Sequence, residues 1–150
     1  MFPKKCGHLE GKKLISTEEM VNKVKFCVEA SQKFSEGHFI ICARTDAYSL
    51  HGLKETINRS KKYIDAGASM IFPEGLEKKE DFESVAKELR AHKKDVLLLA
   101  NMTEFGKTPY LTHEEFEQMG YNIVIYPVST MRVANKAVEN FLIDLKKSGT

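Results

Sequence analysis

The 150-residue sequence has no tryptophan, four prolines, three cysteines and almost no net charge. Lys+Arg 23 against Asp+Glu 21 leaves a formal charge of +2, too balanced to favour nucleic acid or an anionic membrane as a partner. The longest apolar runs, FIICA and VLLLA, are far shorter than the roughly 18–20 residues that cross a bilayer. No signal-peptide pattern follows Met1, because Lys4 and Lys5 come almost at once. The composition therefore predicts neither a nucleic-acid partner nor a membrane partner.

The three cysteines are odd in number, widely spaced and without a CxxC pair. This pattern argues against a disulfide framework or a structural zinc site and favours a reducing compartment. We therefore expect a cytoplasmic location, with the mitochondrion as the alternative. Cys27 on the apolar side of a helix and Cys42 in an apolar strand are predicted to be small core residues. Cys6 has no apolar setting, since it lies in KKCGH, between a lysine pair and Gly7-His8.

Helices are predicted where capping signals precede apolar positions at helical period. Ser16 with Glu19, and Thr112 with Glu115, have the spacing of capping boxes, in which each side chain bonds the other residue's backbone. Two helices are predicted to begin after Ser16 and after Thr112. Three more are predicted at about 51–65, 79–91 and 130–147.

Four short apolar runs lie between these helices, without the polar alternation of a half-exposed strand. Such runs are typical of strands buried on both faces of a parallel sheet. They begin at residues 39, 69, 96 and 122, which are 30, 27 and 26 residues apart. That spacing is the length of a βα unit. The predicted fold class is α/β, with four parallel strands at about 39–43, 69–72, 96–100 and 122–126.

A polar residue follows each predicted strand, and in parallel α/β folds these strand ends converge on one face, where ligands bind. Arg44, Glu74 and Asn101 would supply a cation, an anion and an amide there, a set suited to a small carboxylate substrate. Taken one at a time, each could instead be a helix cap, a surface charge or a loop acid. Their common position after the strands favours one shared site.

Five segments carry a resemblance to a known family: KKCGH, ARTDA, FPE, LANMTEFGKTP and YP, in this order. The sequence resembles the isocitrate lyase / phosphoenolpyruvate mutase superfamily, and most of all its methylisocitrate lyases. The resemblance implies a TIM-type (β/α)8 barrel, of which residues 1–150 would form one partial domain, truncated at both ends. This would be the second half, a catalytic loop and a helix followed by four βα units. The family's Mg²⁺ ligands would then lie upstream of Met1, with no metal ligand in this chain.

The resemblance also implies roles for individual residues. The catalytic groups would be Cys6, His8 and Glu74, with Glu74 in the polar cluster around the reacting hydroxyl. Substrate would be bound through a set of thiol, backbone, cationic, amide and hydroxyl contacts: Cys6, Gly7, Arg44, Glu74, Asn101, Thr103 and Arg132.

The implied reaction is cleavage of 2-methylisocitrate to pyruvate and succinate through an enolate-like intermediate. Cys6 would act as the general acid that protonates the carbanion. Lys4, Lys5 and His8 would favour its thiolate form, so that the thiol can also act in reverse. Isocitrate lyase, carboxyphosphonoenolpyruvate mutase and oxaloacetate hydrolase activities are the alternatives within the superfamily. An inactive truncated fragment is the alternative outside it.

The expected partners follow from the same resemblance. They are a small di- or tricarboxylate substrate and further copies of the chain, since the family forms tetramers. In a four-stranded half-barrel the outer edges of the FIICA and NIVIY strands would be unpaired, and exposed apolar edges invite pairing with another chain.

Overall fold

The structure, a computed structural model, describes residues 3–5 and 11–150. Cys6, Gly7 and His8 lie outside the described residues. Within these ranges the helices are α1 (Thr17–Ser35), α2 (Tyr48–Asp65), α3 (Lys79–His92), α4 (His113–Gln118) and α5 (Ser129–Ser148). The strands are β1 (Cys42–Thr45), β2 (Met70–Pro73), β3 (Leu97–Asn101) and β4 (Ile123–Ile125).

The four strands form one parallel sheet in the order β1-β2-β3-β4, so that sequential strands are neighbours. Arg44 on β1 lies beside Phe72 on β2, and Leu99 on β3 lies beside Ile123 on β4. This sheet confirms the predicted α/β class with four parallel βα units. Because all strands run the same way, their carboxyl ends lie at one edge of the sheet.

The main core lies between the sheet and the helices α1, α2, α3 and α4. Phe82 of α3 is at its centre, with its ring edge-on to Phe116 at 5.2 Å between centroids and to Tyr121 at 5.6 Å. Such edge-to-face pairs add stabilisation beyond the apolar area that they bury. Ile71 of β2 and Leu98 of β3 are fully buried against the same helices.

Both predicted capping boxes are present. The Glu19 backbone N–H donates to Ser16 Oγ at 3.1 Å, and the Ser16 N–H donates to Glu19 Oε2 at 2.9 Å. Thr112 and Glu115 make the same reciprocal pair at the start of α4. These bonds satisfy backbone donors that the first turn of a helix leaves without partners.

The first strand begins later than predicted, at Cys42 rather than at Phe39. The backbone of Phe39 is bonded to α1 instead: Ser31 Oγ donates to its carbonyl at 3.0 Å, and its N–H donates to Ser35 Oγ at 3.2 Å. Its polar groups are therefore used before a strand partner can pair with them. The apolar run therefore starts at Phe39, three residues before the strand ladder begins at Cys42.

Helix α2 begins earlier than predicted, at Tyr48, because two helical pieces join at Gly52. Gly52 has φ 75°, a conformation that residues with a Cβ rarely adopt. The prediction of about 51–65 therefore found the second piece and missed the turn before it.

The prediction that Cys27 and Cys42 are core residues is wrong, because both are exposed. Along β1 the side chains alternate between faces: Ala43 and Thr45 are buried, whereas Cys42 and Arg44 are exposed. Cys42 thus lies on the face of the sheet that points away from the core helices. An apolar run does not tell which face of an edge strand is covered.

Helix α5 has the predicted apolar face but buries none of its residues. Its exposed apolar side chains include Met131, Val133, Val138, Phe141, Leu142 and Ile143. Among the described residues, no helix combines the length and the apolar character needed to cross a membrane.

Candidate functional site

The carboxyl ends of β1, β2 and β3 bring a set of polar side chains together, which we call the rim cluster: Arg44, Asp46, Glu74, Asn101 and Thr103. Arg44 donates to Asp46 through Nε at 3.0 Å and through Nη2 at 2.8 Å. Its Nη1 lies 3.6 Å from Glu74 Oε2. The guanidinium also stacks over the Phe72 ring at 5.1 Å. Arg44 is therefore held in a fixed orientation by two carboxylates and a ring.

Glu74 is the buried member of the rim cluster, with 2% of its surface exposed. Asn101 Nδ2 lies 3.4 Å from each of its carboxylate oxygens, and Thr103 Oγ1 donates to Asn101 Oδ1 at 2.8 Å. The bond from Thr103 fixes which end of the amide points at Glu74. Three strand ends thus supply one connected polar set, joined by hydrogen bonds and by the Arg44–Glu74 ion pair, as their sequence positions predicted.

The accessible part of the cluster is cationic and amide in character. The Arg44 side chain is 39% exposed, whereas the carboxylates of Asp46 and Glu74 are largely covered. A bound carboxylate would share the Arg44 guanidinium with Asp46, whose oxygens now accept from it. The geometry suits a ligand that carries both carboxylate and hydroxyl groups, because donors and acceptors lie side by side.

The segment before α1 lies against the rim cluster. Leu14 and Ile15 line a narrow cavity of about 20 Å³ together with Arg44 and Asp46. Arg59 of α2 donates to the Ile15 carbonyl at 3.1 Å and so fastens this segment to the second helix. The chain that follows KKCGH therefore reaches the site from the side of β1.

A second group of contacts, which we call the loop clamp, joins the β3–α4 loop to the start of α5. It consists of Glu104, Phe105, Ser129 and Arg132. Ser129 Oγ donates to Glu104 Oε1 in a short hydrogen bond, and Arg132 Nη1 donates to the Glu104 carbonyl at 2.7 Å. The Arg132 guanidinium stacks over the Phe105 ring at 4.8 Å. The structure therefore places the Arg132 side chain of α5 against the loop that follows Asn101 and Thr103.

The loop clamp has a local electrostatic signature. The hydrogen bond from Ser129, aided by the positive charge of Arg132, holds the pKa of Glu104 below its ordinary value. Glu104 is not among the site residues predicted from the sequence. The available signal was its place directly after Thr103, at the end of a strand that carries other site residues.

The oxygen ligands that the rim cluster could offer to a metal ion are the carboxylates of Asp46 and Glu74. Among residues 3–5 and 11–150, no group of three or more His, Cys, Asp or Glu side chains is placed to hold a metal ion. The two rim carboxylates, Asp46 and Glu74, are both engaged by Arg44. A Mg²⁺ ion takes octahedral oxygen coordination from carboxylates, substrate oxygens and water. A Mg²⁺ ion at these carboxylates would need water, substrate oxygens or residues outside the described ranges as its further ligands.

Comparison with known proteins gives a consistent family. The family model described as phosphoenolpyruvate phosphomutase matches residues 4–146. A probable 2-methylisocitrate lyase 1 of Corynebacterium glutamicum is 47% identical over 99% of this chain and 46% of its own length. A crystal structure of 2,3-dimethylmalate lyase, with 34% identity, has a TM-score of 0.88 and covers 98% of this chain and 47% of that one.

A third similar structure is oxaloacetate acetylhydrolase with the inhibitor 3,3-difluorooxalacetate, with 33% identity and a TM-score of 0.88. It is matched over all of this chain and 49% of its own. The chain therefore spans about half the length of the relatives that it matches. The names of these relatives refer to three different carboxylate compounds: 2-methylisocitrate, 2,3-dimethylmalate and oxaloacetate. The two solved structures share the fold of this chain.

Proposed function

The chain belongs to the phosphoenolpyruvate phosphomutase family, and from this premise we propose that its activity is that of a carbon–carbon lyase of the methylisocitrate type. The substrate would be 2-methylisocitrate and the products pyruvate and succinate. The observation that carries the proposal is the rim cluster, in which Arg44, Glu74 and Asn101 from three strand ends form one polar set. The name of the 47% identical relative supports the choice of reaction.

In this proposal the rim cluster binds and orients the substrate. Arg44 would hold one substrate carboxylate, because its guanidinium is the exposed cation of the set and can bond a carboxylate through two donors. Asn101 and Thr103 would bind a second carboxylate. Arg132 would add a cationic contact from the start of α5. Glu74 would lie beside the reacting hydroxyl and accept a hydrogen bond from it.

Cys6 would carry the proton transfer, with Gly7 and His8 beside the substrate. As the carbon–carbon bond breaks, its electron pair stays on the carbon that becomes part of succinate. The reacting hydroxyl would pass its proton to the Glu74 carboxylate, which accepts its hydrogen bond, and its oxygen would become the pyruvate carbonyl. The Cys6 thiol would give its proton to that carbon and become a thiolate. In the reverse direction the thiolate would remove the same proton.

Magnesium is the proposed cofactor by family, with ligands outside the described residues. Asp46 and Glu74 are held by Arg44, so neither is assigned to the ion. We further propose that residues 1–150 act as a single partial barrel domain in the cytoplasm, as one subunit of a homo-oligomer.

The experiment that tests the proposal is an assay of the full chain with 2-methylisocitrate and Mg²⁺. Pyruvate is followed through NADH oxidation by lactate dehydrogenase, and succinate by chromatography. Cys6→Ser should abolish cleavage and leave substrate binding nearly unchanged, because only the proton donor is lost. Cys27→Ser, at an exposed cysteine of α1, is the matched control and should behave like the parent. Near-normal turnover by Cys6→Ser would refute the role of the thiol.

The second candidate is a chain without activity of its own. It is favoured by the absence of a metal-binding group among the described residues and by the match to about half of each relative. Coding DNA upstream of the Met1 codon separates the candidates. An open frame encoding an Asp-rich strand supports the lyase, whereas a stop codon supports the inactive fragment.

The remaining alternatives concern the substrate. Isocitrate lyase, carboxyphosphonoenolpyruvate mutase and oxaloacetate hydrolase activities share the carboxylate chemistry that the rim cluster suits. Parallel assays with isocitrate, oxaloacetate and 2-methylisocitrate decide among the hydrolase and the two lyases. A preference for either of the first two would replace the proposed substrate while leaving the site unchanged.

A further inference from the structure

The loop between β3 and α4 carries groups of the rim cluster at its start and the loop clamp immediately after them. Asn101 ends β3, Thr103 bonds its amide, and Glu104 is the next residue along the chain. Glu104 therefore lies at the junction between the proposed binding groups and the helix α5. Nothing in the proposed reaction uses its side chain.

Glu104 makes both of its contacts to the first turn of α5. Its carboxylate accepts from the Ser129 hydroxyl, and its backbone carbonyl accepts from Arg132. The other carboxylate oxygen, Oε2, is buried and has no hydrogen-bond partner among the described residues. An acid on the surface without a role would keep both oxygens in water, because removing an anionic oxygen from water is unfavourable.

The neighbouring residue shows that the backbone here is held in an uncommon shape. Phe105 has φ 62°, which places a residue with a large side chain in the left-handed region. Its ring is held between the Arg132 guanidinium at 4.8 Å and the Tyr110 ring at 6.3 Å. Such a conformation persists only where surrounding contacts fix it, and residues in such conformations cluster at functional sites.

The position of α5 depends on the same contacts, since the helix buries none of its residues. The side-chain hydrogen bonds that join its first turn to the β3–α4 loop are both made with Glu104. Moving the helix would therefore move the loop, and moving the loop would move Thr103 away from Asn101.

We propose that Glu104 is a positioning residue, which through Ser129 and Arg132 fixes the loop that keeps the Asn101 amide pointed at Glu74. The proposal rests on the proposed function, because it treats Asn101 and Thr103 as binding groups. Glu104 itself touches no substrate. It acts by setting the direction of the Asn101 amide before a dicarboxylate binds.

The test compares Glu104→Gln and Ser129→Ala with the control Glu139→Gln. Glu139 is an exposed acid on α5 that pairs with Lys136, so the control removes an equal charge at a position away from the β3–α4 loop. If Glu104→Gln fails to fold, Ser129→Ala removes the same hydrogen bond from the other side.

The first readout is the NMR signal of the Arg132 Nε–H group, which the Phe105 ring should shift because the guanidinium lies over that ring. Both clamp variants should move this signal towards its value in an unstructured peptide, and the Asn101 side-chain amide signals should move with it. Glu104→Asp, which restores the charge on a shorter side chain, should recover part of the shift. General destabilisation would not give this selective pattern.

The second readout is the rate of tryptic cleavage after Lys107, an exposed residue of the loop. Loss of a hydrogen bond to a charged group should speed this cleavage about tenfold in both clamp variants. Succinate binding, measured by calorimetry, should weaken by a similar factor, about tenfold.

The outcomes separate the two proposals. If the parent chain does not bind succinate, the proposed function fails, and the NMR and cleavage results still decide the role of Glu104. If the Arg132 and Asn101 signals and the cleavage rate in Glu104→Gln match those in Glu139→Gln, the positioning role is overturned. A shift of Arg132 without any shift of Asn101 also overturns it, because the clamp would then not reach the rim cluster.

Discussion

Helices α3 and α5 carry the same kind of sequence and have opposite surroundings. Both repeat apolar residues at helical period, and α5, with 20 residues against 14, is the longer. In α3 the apolar side chains Phe82, Val85, Ala86 and Leu89 are buried, whereas α5 buries none. An amphipathic pattern therefore marks which face of a helix is apolar. Whether that face is buried depends on whether another part of the molecule packs against it.

The first turn of each helix is nevertheless tied in the same manner, by one hydroxyl and one acid. Tyr48 donates to Asp81 at 2.5 Å at the start of α3, and Ser129 donates to Glu104 at the start of α5. The ends differ. Arg90 in the last turn of α3 donates to the Gly120 carbonyl at 2.7 Å, while the last turn of α5 is exposed throughout. Helix α3 is thus fixed along its length and α5 at its start.

The sharpest way to break this comparison is to delete one aromatic ring from each helix. Phe82→Ala should lower the free energy of unfolding by about 3–5 kcal/mol, because Phe82 is 1% exposed and its cavity cannot refill. In the monomer, Phe141→Ala should change it by less than about 0.5 kcal/mol, because Phe141 is 60% exposed in the single chain. Urea denaturation of both variants, at a dilution where the chain is monomeric, measures the difference. Equal losses would show that α5 is covered within the monomer.

Self-association should be the next largest effect, since α5 and the outer edges of β1 and β4 expose apolar groups. Sedimentation velocity over a range of concentrations should show dimers or larger species of the 17.1-kDa chain. Val138→Glu with Phe141→Glu should weaken the association about tenfold or more, since charges on an apolar contact surface are unfavourable. Lys136→Glu, at an exposed charged position of α5, is the control. A single monomer at every concentration would contradict this expectation.

The smallest expected effect concerns the tie at the start of α3. Burial, and then the hydrogen bond to Asp81, raises the pKa of Tyr48 from 10.0 to about 12. The folded chain thus favours the neutral phenol of Tyr48. The contribution of this phenol to the free energy of unfolding is complete below pH 10 and is lost as the pH rises through 12. Tyr48→Phe should lower the free energy of unfolding by about 1 kcal/mol at pH 7 and flatten its decline between pH 10 and 12.

Unfolding curves measured at pH 7 and at several values between pH 10 and 12 test this prediction. Burial also raises the pKa of Tyr63 and of Tyr121, so the decline should become shallower without disappearing. Tyr126→Phe, at an exposed tyrosine, serves as the control. An equally steep decline in Tyr48→Phe would show that the bond to Asp81 is not maintained in solution.

Much of the site could be predicted because it depends on chain direction alone. Once four apolar runs are parallel strands, Arg44, Glu74 and Asn101 must lie at one edge, and they do. The loop clamp could not be predicted, because Glu104 meets Ser129 across 25 residues of chain and through a backbone turn at Phe105. Cys6, Gly7 and His8 lie outside the described residues, so their roles remain predictions.

The sequence by itself determined the order of elements, both capping boxes and the parallel sheet, because these follow from local hydrogen bonding and from the period of apolar residues. Only the tertiary structure decided which apolar residues are covered. Cys42 and Phe141 have apolar neighbours in the chain and yet are exposed, since burial depends on what packs against a face and not on the pattern that marks the face. Because nothing packs against the apolar face of α5, the helix is joined to the site through the hydrogen bonds of the loop clamp at its first turn.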